Sequence, residues 1–585
     1  MAGGNPQRRR WQIASPFSDA ADVARSAGTA PLVAQILYNR GLTTAQAVKG
    51  FISPRLNDLH DPELMPNVDL AAERIVRAIT NNEAIVIYGD YDVDGMTGLT
   101  ILRSCLTLAG ANVKSYVPHR LEEGYGVNAQ AVRKLAAEGA QLLITVDCGI
   151  SAIEPLAQAA ELGLDVIVTD HHQLADQLPQ AIAVVHPGLP GSLYPNPDLC
   201  GAGVAFKLAW QVAKRLSGGA KVDDRMREFL LESMCLAALG TIADVVPLTG
   251  ENRVFATFGL RALPQTKHIG LRALLASAGL DGQQVDAYHV GFVLAPRLNA
   301  CGRMGHAALA VELLTEAPPD RAAEIADYLC KQNTERQTVE REIAAQAAEL
   351  AVAGGYDQAD CRGIVLDSAD WHGGVIGIVA SRLVDRFHRP TVLISWNGDG
   401  LGHGSARSVP GFNMHEALSA CAGHLESFGG HAMAGGLKIR PEKVEDFRRD
   451  FLAHAAGCMS AEDLCPVLKI DAQTTVAGLS YNVVEHIERL APFGQGNPTP
   501  VVALYNCRLM MPPRRMGQRG NAVSLTLQQN GASIRAVGFG MGDLADTLVG
   551  VNEVDVAAEP VINRFNGKVS VELKLRDVVV SQERQ

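Results

Sequence analysis

Between residues 82 and 185 the chain alternates short apolar runs with longer amphipathic stretches. The runs at 84–88, 113–117, 142–146, 166–169 and 183–185 are nearly continuous in apolar and β-branched residues, which predicts strands buried on both faces. The stretches between them, such as 97–109, 128–137 and 153–162, are long enough for helices. This alternation predicts βαβ units, and so an α/β fold with a parallel sheet covered by helices on both faces.

The pattern changes on either side. Residues 19–77 are helical and amphipathic in pieces, broken by a Pro-punctuated connector at 53–66, and 1–81 reads as an N-terminal helical cap before a first domain at 82–318. The next segment, 319–357, carries one long helical pattern. Ile325 and Leu329 lie on a stripe at its start, Val339, Ile343 and Leu350 at its end, and its middle is polar with Lys331 and Arg336. Such a helix spans about 50 Å and reads as a connector between domains. Its polar middle is either solvated or turned toward a nucleic-acid cleft. A second, glycine-rich α/β domain follows at 358–460. From 466 to 585 the runs alternate as half-buried strands do (523–527, 534–539, 569–575), with turns at Gly520-Asn521 and Asn566-Gly567, which predicts a small antiparallel β-barrel.

Composition narrows the class. Of the 585 residues, 47% are hydrophobic and 20% charged, as in globular chains that hold several domains. The net charge of −11 excludes a protein wrapped generically around nucleic acid but leaves room for a local basic groove. Eleven cysteines with no C-x-x-C pair give no support to structural zinc and fit a reducing cytoplasm. Neither a signal peptide nor an 18-residue apolar run is present, so no membrane association is expected.

Candidate chemistry gathers just after the strands. The first run ends in Gly89-Asp90-Tyr91-Asp92-Val93-Asp94-Gly95, the third in Asp147-Cys148-Gly149, the fourth in Asp170-His171-His172. Open α/β sheets bind ligands at the carboxyl edge of their strands, where these side chains would meet. Carboxylates so close repel one another unless a cation lies among them, and oxygen ligands suit Mg²⁺ or Mn²⁺. Asp244 interrupts the apolar segment Ala238-Leu-Gly-Thr-Ile-Ala, an expensive place for a carboxylate unless it is paired or binds metal.

These motifs, in this order, resemble those of the DHH phosphoesterase superfamily. The D-Y-D-x-D-G variant on a long chain resembles its single-strand-specific DNA exonucleases. Leu298-Asn-Ala-Cys-Gly-Arg303-Met, Trp371-His-Gly-Gly-Val-Ile-Gly, Gly404-Ser405-Ala-Arg407-Ser408, Gly429-Gly430-His431 and Pro492-Phe-Gly-Gln-Gly-Asn-Pro498 extend the likeness through a DHHA1 domain and an OB-fold. The resemblance implies two divalent cations, Mn²⁺ or Mg²⁺, held by Asp92, Asp94, Asp147, His171 and Asp244, with Asp147 bridging. Asp90 is either a ligand or a base beside one. Two such ions about 3.5–4 Å apart suit in-line phosphodiester hydrolysis. Asp94, Asp147 and His172 form the implied catalytic set, His172 contacting the scissile phosphate or else orienting a neighbour. Where relatives often carry a His four positions before Asp92, this chain has Tyr88.

The implied activity is 5′→3′ degradation of single-stranded DNA to mononucleotides, in DNA repair and recombination, by a cytoplasmic monomer, with a RecQ-type helicase and a single-strand-binding protein as further partners. A 5′-phosphate would be read by Ser405 and Arg407, His431 offers a similar turn, and Arg120 and Arg303 are candidates by family match. Arg514, Arg515 and Arg519, with Arg508 and Arg535, make a basic stretch free of acidic residues between Leu504 and Gly540. That stretch is the best electrostatic candidate for a strand-binding surface. Two other classes stay open. One is a hydrolase of pyrophosphate, cyclic dinucleotides or very short oligonucleotides, which a substrate-length series would separate. The other is an inert OB-fold binding protein, which release of mononucleotides would exclude.

Overall fold

The computed structural model describes residues 9–119, 123–124, 126–219, 221–303, 307–396 and 400–581. The chain forms two compact units, one built on Lys331–Leu468 with Met1–Gln12, the other on Ile13–Cys330 with Lys469–Gln585.

The larger unit holds a five-stranded parallel sheet in the order Val113–Tyr116, Ile85–Gly89, Leu142–Val146, Asp165–Thr169, Ala183–Val185. Alternate residues serve opposite cores. Ile85, Ile87, Leu142 and Ile144 pack with the helices Val93–Leu108 and Gly201–Leu216, whereas Val86, Tyr88, Leu143, Val166 and Val168 pack with Ala129–Ala137 and Ile153–Glu161. Burial on both faces is why these strands read as continuous apolar runs rather than alternating ones. Chain order reverses between Ile85–Gly89 and Leu142–Val146, so the loops leaving these two strands diverge and open a crevice at the carboxyl edge.

Two expectations need correction here. The first helix begins at Val93 rather than Thr97, because Asp92 caps it, accepting from the amides of Asp94 (2.9 Å) and Gly95 (3.1 Å). Asp94 therefore stands in a first helical turn, not on a loop. The helices Ala20–Ala27, Pro31–Tyr38 and Ala45–Ile52 gather Val33, Ile36, Leu37, Val48 and Phe51 into one cluster with Ile487 and Leu490. This N-terminal segment thus shares its core with the start of the C-terminal domain.

In that domain strand Val502–Leu509 pairs with Glu553–Phe565 on one side and Ala522–Gln529 on the other. The chain of pairings through Lys568–Val580 and Ala532–Phe539 returns on itself. The pairs are antiparallel except for Ala532–Phe539 with Lys568–Val580 and a short one between Ala472–Gln473 and Val502–Leu509. Asn566 and Gly567 both have positive φ (50° and 73°), as a two-residue hairpin turn requires.

The smaller unit carries a mixed five-stranded sheet ordered Leu425–His431, Ala434–Ile439, Gly402–Arg407, Thr391–Trp396, Ile364–Ser368, with only the last pair parallel. The long helix Pro319–Ala353 runs from one unit into the other. Its polar middle is not simply solvated. Asn333, Arg336 and Glu340 are buried, with Arg336 donating to Asn333 and Glu340 (both 3.0 Å), and Arg382 pairing with the same glutamate. No helix among the described residues is long and apolar enough to cross a membrane.

Candidate active site

The crevice is lined from both sides. Asp90, Asp92 and Asp94 leave one central strand, Asp147 leaves the other, and His171 and His172 follow the strand beyond it. Asp244 arrives differently, at the C-terminus of the helix Asp224–Ala243 rather than after a strand. Three groupings bring ligand atoms within 4.8 Å of one another: Asp94–His171–Asp244, Asp90–Asp92–Asp147 and Asp147–His171–His172. His171 Nε2 lies 3.1 Å from Asp147 Oδ1, 3.6 Å from Asp244 Oδ2 and 3.7 Å from Asp94 Oδ2.

The surrounding backbone fixes these groups. Asp94 accepts from the amides of Gly201 (2.6 Å) and Ala202 (2.8 Å), the first turn of Gly201–Leu216, where a helix favours an anion. Asn299 Oδ1 accepts from Val93 N (3.1 Å) and holds the other side of the acidic loop. Space is short. A Cβ on Gly201 would stand 2.6 Å from the Asp147 Cβ, and one on Gly240 would stand 2.5 Å from Asp94 Oδ1. Asp147 itself has φ 60°, and Val245, beside Asp244, has φ 61°, a conformation costly for a β-branched residue. Gly201, Ala202, Gly240 and Asn299 were not among the expected site residues. The only signal for the first two is a Cys-Gly-Ala-Gly helix start without bulky side chains.

Electrostatics separate the roles. Burial, then the charges of Asp94, Asp92, Asp90 and Asp244, push Asp147 well above the carboxylate range. Burial and Asp94 raise Asp92, and the same causes with Asp92 push Asp244 up to about 8. Burial holds His171 below its ordinary value. His172 goes the other way. Burial alone would lower it, but the hydrogen bond and charge of Asp170, with Asp244 and Asp94, raise it to about 9. Asp170 bonds His172 Nδ1 at 2.7 Å and accepts from the amides of Ile150, His171 and His172, so it stays below the ordinary carboxylate value despite burial. Asp170 orients His172, the reverse of the alternative in which His172 orients a neighbour.

The donor set fits divalent metal. Asp147 Oδ1 and His171 Nε2 are buried and make no hydrogen bond. Buried polar atoms left so are rare, and here both converge with acidic oxygens on one point. Two oxygen-rich groups, Asp90–Asp92–Asp147 and Asp94–His171–Asp244, meet where His171 Nε2 approaches Asp147 Oδ1, and suit two hard cations. Tyr88 takes no part. Its hydroxyl turns away to donate to the carbonyl of Gly126 (3.0 Å).

Other expected residues belong to other elements of the chain. In the smaller unit Arg407 donates to Ser405 Oγ (3.2 Å) and to the carbonyl of Ala406, and a Cβ on Gly377 would meet both side chains at about 3 Å. His431 is exposed and accepts from the amide of Met433. Arg514, on the strand Arg514–Met516, and Arg519, in the turn after it, are exposed, and Arg514 lines a cavity of about 450 Å³ with Met511, Pro512, Met516 and Arg535. Arg515 and Arg535 pair with acidic residues from outside the basic stretch, Asp543 with Asp546 and Glu572 respectively. Arg120 lies outside the described residues, as does the side chain of Arg303, whose backbone ends the helix Ala295–Arg303.

Acidic and histidine groups converging at the switch point of a parallel sheet are the arrangement of a DHH phosphoesterase, and the family model for the DHH N-terminal domain matches residues 84–238. Models for the DHHA1 domain and the RecJ OB domain match 360–456 and 470–577. The single-stranded-DNA-specific exonuclease RecJ of Bacillus subtilis is 39% identical over 98% of this chain and 71% of its own length. The chain belongs to the RecJ family. The crystal structure of Thermus thermophilus RecJ in complex with Mn²⁺ superposes with a TM-score of 0.83 at 31% identity, covering 97% of this chain and 79% of that one. The same protein in complex with Mg²⁺ gives 0.77 at 30% identity.

Proposed function

We propose that this protein is a metal-dependent exonuclease that degrades single-stranded DNA from its 5′ end to mononucleotides. The observation that carries this reading is the pair of ligand groups, Asp90–Asp92–Asp147 and Asp94–His171–Asp244, brought together by the 3.1 Å approach of His171 to Asp147, with buried carboxylates that repel one another and so call for cations. Asp90, Asp92, Asp94, Asp147, His171 and Asp244 would hold two ions, Mn²⁺ or Mg²⁺ as in the Thermus relative. Bound there, they supply stabilisation of the attacking and leaving oxygens of a phosphodiester.

The chain's own groups do the rest. His172, steered by Asp170 through Nδ1, presents its ring edge to a phosphate oxygen. Asp94 is locked by two helix amides, so it need not reorganise when a substrate arrives. Ser405 and Arg407 would take the terminal 5′-phosphate through charge-assisted bonds, with Arg120, Arg303 and His431 as further phosphate contacts. Exposed Arg514 and Arg519, with Arg515, would steady the incoming strand.

The setting proposed for this activity is DNA repair and recombination, with a helicase of the RecQ type and a single-strand-binding protein as partners of a monomer. Eleven free cysteines agree with a cytoplasmic location. The test is direct. Strands labelled at either end are incubated with Mn²⁺ or Mg²⁺ and product lengths followed. Mononucleotides released from the 5′ end are expected, and digestion from the 3′ end would overturn the polarity. Equal turnover of pyrophosphate or cyclic dinucleotides would return the chain to the small-substrate hydrolases.

A further inference from the structure

We infer that Tyr288 and Phe292 form a shelf on which bases of the single strand stack as the strand approaches the metal centre. The inference rests on the proposed reading of the substrate. Both rings are conspicuously bare, 64% and 69% exposed, yet they stack on each other with centroids 4.9 Å apart and planes 28° from parallel. Two large aromatic faces left in water forgo a burial that would stabilise the fold, so a ligand that covers them gains it.

Their segment is unusual and rigid. The short helical turn Ala287–His289 passes into a π-helix, Val290–Leu294, and then into the helix Ala295–Arg303. π-turns inside α-helices occur frequently at functional sites. Asp286 caps the start, accepting from His289 N at 2.9 Å, while Val290 and Leu294 bury the opposite side in the main core. The rings are therefore presented from a fixed backbone, which lowers the ordering cost of binding.

Continuity with the active site identifies the occupant. Tyr288 and Phe292 lie eleven and seven residues before Asn299 on one unbroken helical segment, 287–303. At its far end Asn299 holds Val93, and Gly302 packs so tightly that a Cβ there would lie 2.7 Å from the Tyr91 carbonyl. The segment thus starts at the rings and ends on the loop that carries Asp90, Asp92 and Asp94. At a rise of about 1.5 Å or less per residue, Phe292 stands within about 11 Å and Tyr288 within about 17 Å of Asn299 along the axis, a few nucleotides of strand. Stacking on aromatic rings accepts every base, as a processive nuclease requires.

The test uses the full chain. Binding of a long oligodeoxythymidylate is measured by fluorescence anisotropy in EDTA, and hydrolysis of a dinucleotide with Mn²⁺. Y288A/F292A should weaken long-strand binding by about 5- to 150-fold for each stacked base, while dinucleotide hydrolysis, too short to reach the shelf, stays as in wild type. Tyr288→Phe should bind as wild type, and Phe292→Leu, which keeps apolar bulk without a π-face, should lose affinity. A strand with abasic residues at the positions that reach the rings should bind wild type as weakly as the double variant binds the intact strand, with no further loss when the two are combined. Unchanged long-strand binding in a stably folded Y288A/F292A would overturn the shelf and leave the surface to a protein partner. Loss that is equal for intact and abasic strands would overturn it too. If wild type bound and digested no single strand at all, the proposed function would fail instead, and the two outcomes are distinct.

Discussion

At the scale of single residues, Asp147 carries two opposed burdens. It belongs to two of the three ligand groups, and burial among like charges strongly disfavours it as an anion. Asp147→Asn should therefore abolish hydrolysis while raising the melting temperature of the metal-free protein at pH 8, because a buried like charge is removed. Scanning calorimetry in EDTA beside a Mn²⁺ activity assay checks both halves. Retained turnover would remove Asp147 from the metal centre. Arg407 is the second case. Losing a charge-assisted contact with a terminal phosphate should cost about 10- to 150-fold in the preference for 5′-phosphorylated over 5′-hydroxyl strands in Arg407→Ala. Arg407→Lys should keep that preference if charge alone matters and lose most of it if the planar fork does. Cleavage rates on the two strands decide it, with melting followed alongside because Arg407 also ties Ser405 to Ala406.

At the scale of elements, the metal centre rests on two helix starts. Asp92 caps one, and the first amides of Gly201–Leu216 clamp Asp94. Gly201→Ala would push a methyl group against Asp147, so Mn²⁺ affinity should fall by about 10- to 100-fold, the usual cost of disturbing the groups that orient ligands. Isothermal titration with Mn²⁺ measures this without catalysis, and unchanged affinity would show that the site relaxes around the methyl group. This clamp was hard to see in the amino-acid order alone. Strand runs and the acidic motifs are local signals, and they located Asp90, Asp92, Asp94, Asp147 and His171 on one sheet edge. The Gly201 amides lie more than a hundred residues from Asp94, and backbone donors leave no side-chain trace. The same limit applies to the basic stretch. Arg515 and Arg535 look unopposed along the chain, yet their partners come from elsewhere, Asp543 and Asp546 from the short helix Leu544–Thr547 and its cap, and Glu572 from the strand Lys568–Val580. The start of the first helix was missed because Asp94 and Gly95 are poor helix formers that a capping Asp92 makes acceptable.

At the scale of the whole molecule, proton and metal binding act on folding stability together. Asp244 is raised to about 8 in the folded chain and titrates near about 4 when unfolded. Between those values the folded chain binds more protons, so metal-free stability is greatest in acid and declines as pH rises toward 8. Asp92 and Asp147 are displaced in the same direction, and His172, raised to about 9, adds to the decline above its ordinary value. His171, displaced downward, opposes them only in the acid part of the range. The EDTA-treated protein should therefore melt lower at pH 8 than at pH 5. Mn²⁺, which competes with protons for the same oxygens, should raise the melting temperature more at pH 8. Equal Mn²⁺ shifts at both pH values would contradict this coupling.

The crowding of unlike duties onto Asp92, a ligand candidate that also begins a sixteen-residue helix through the first core, has a consequence for the protein's lifetime in a cell. A chain starved of manganese or magnesium keeps its acidic groups in tension at the point where that helix is anchored. It therefore opens more often, and proteases act on opened chains. Metal supply then sets how much of the enzyme persists as well as how fast each molecule works.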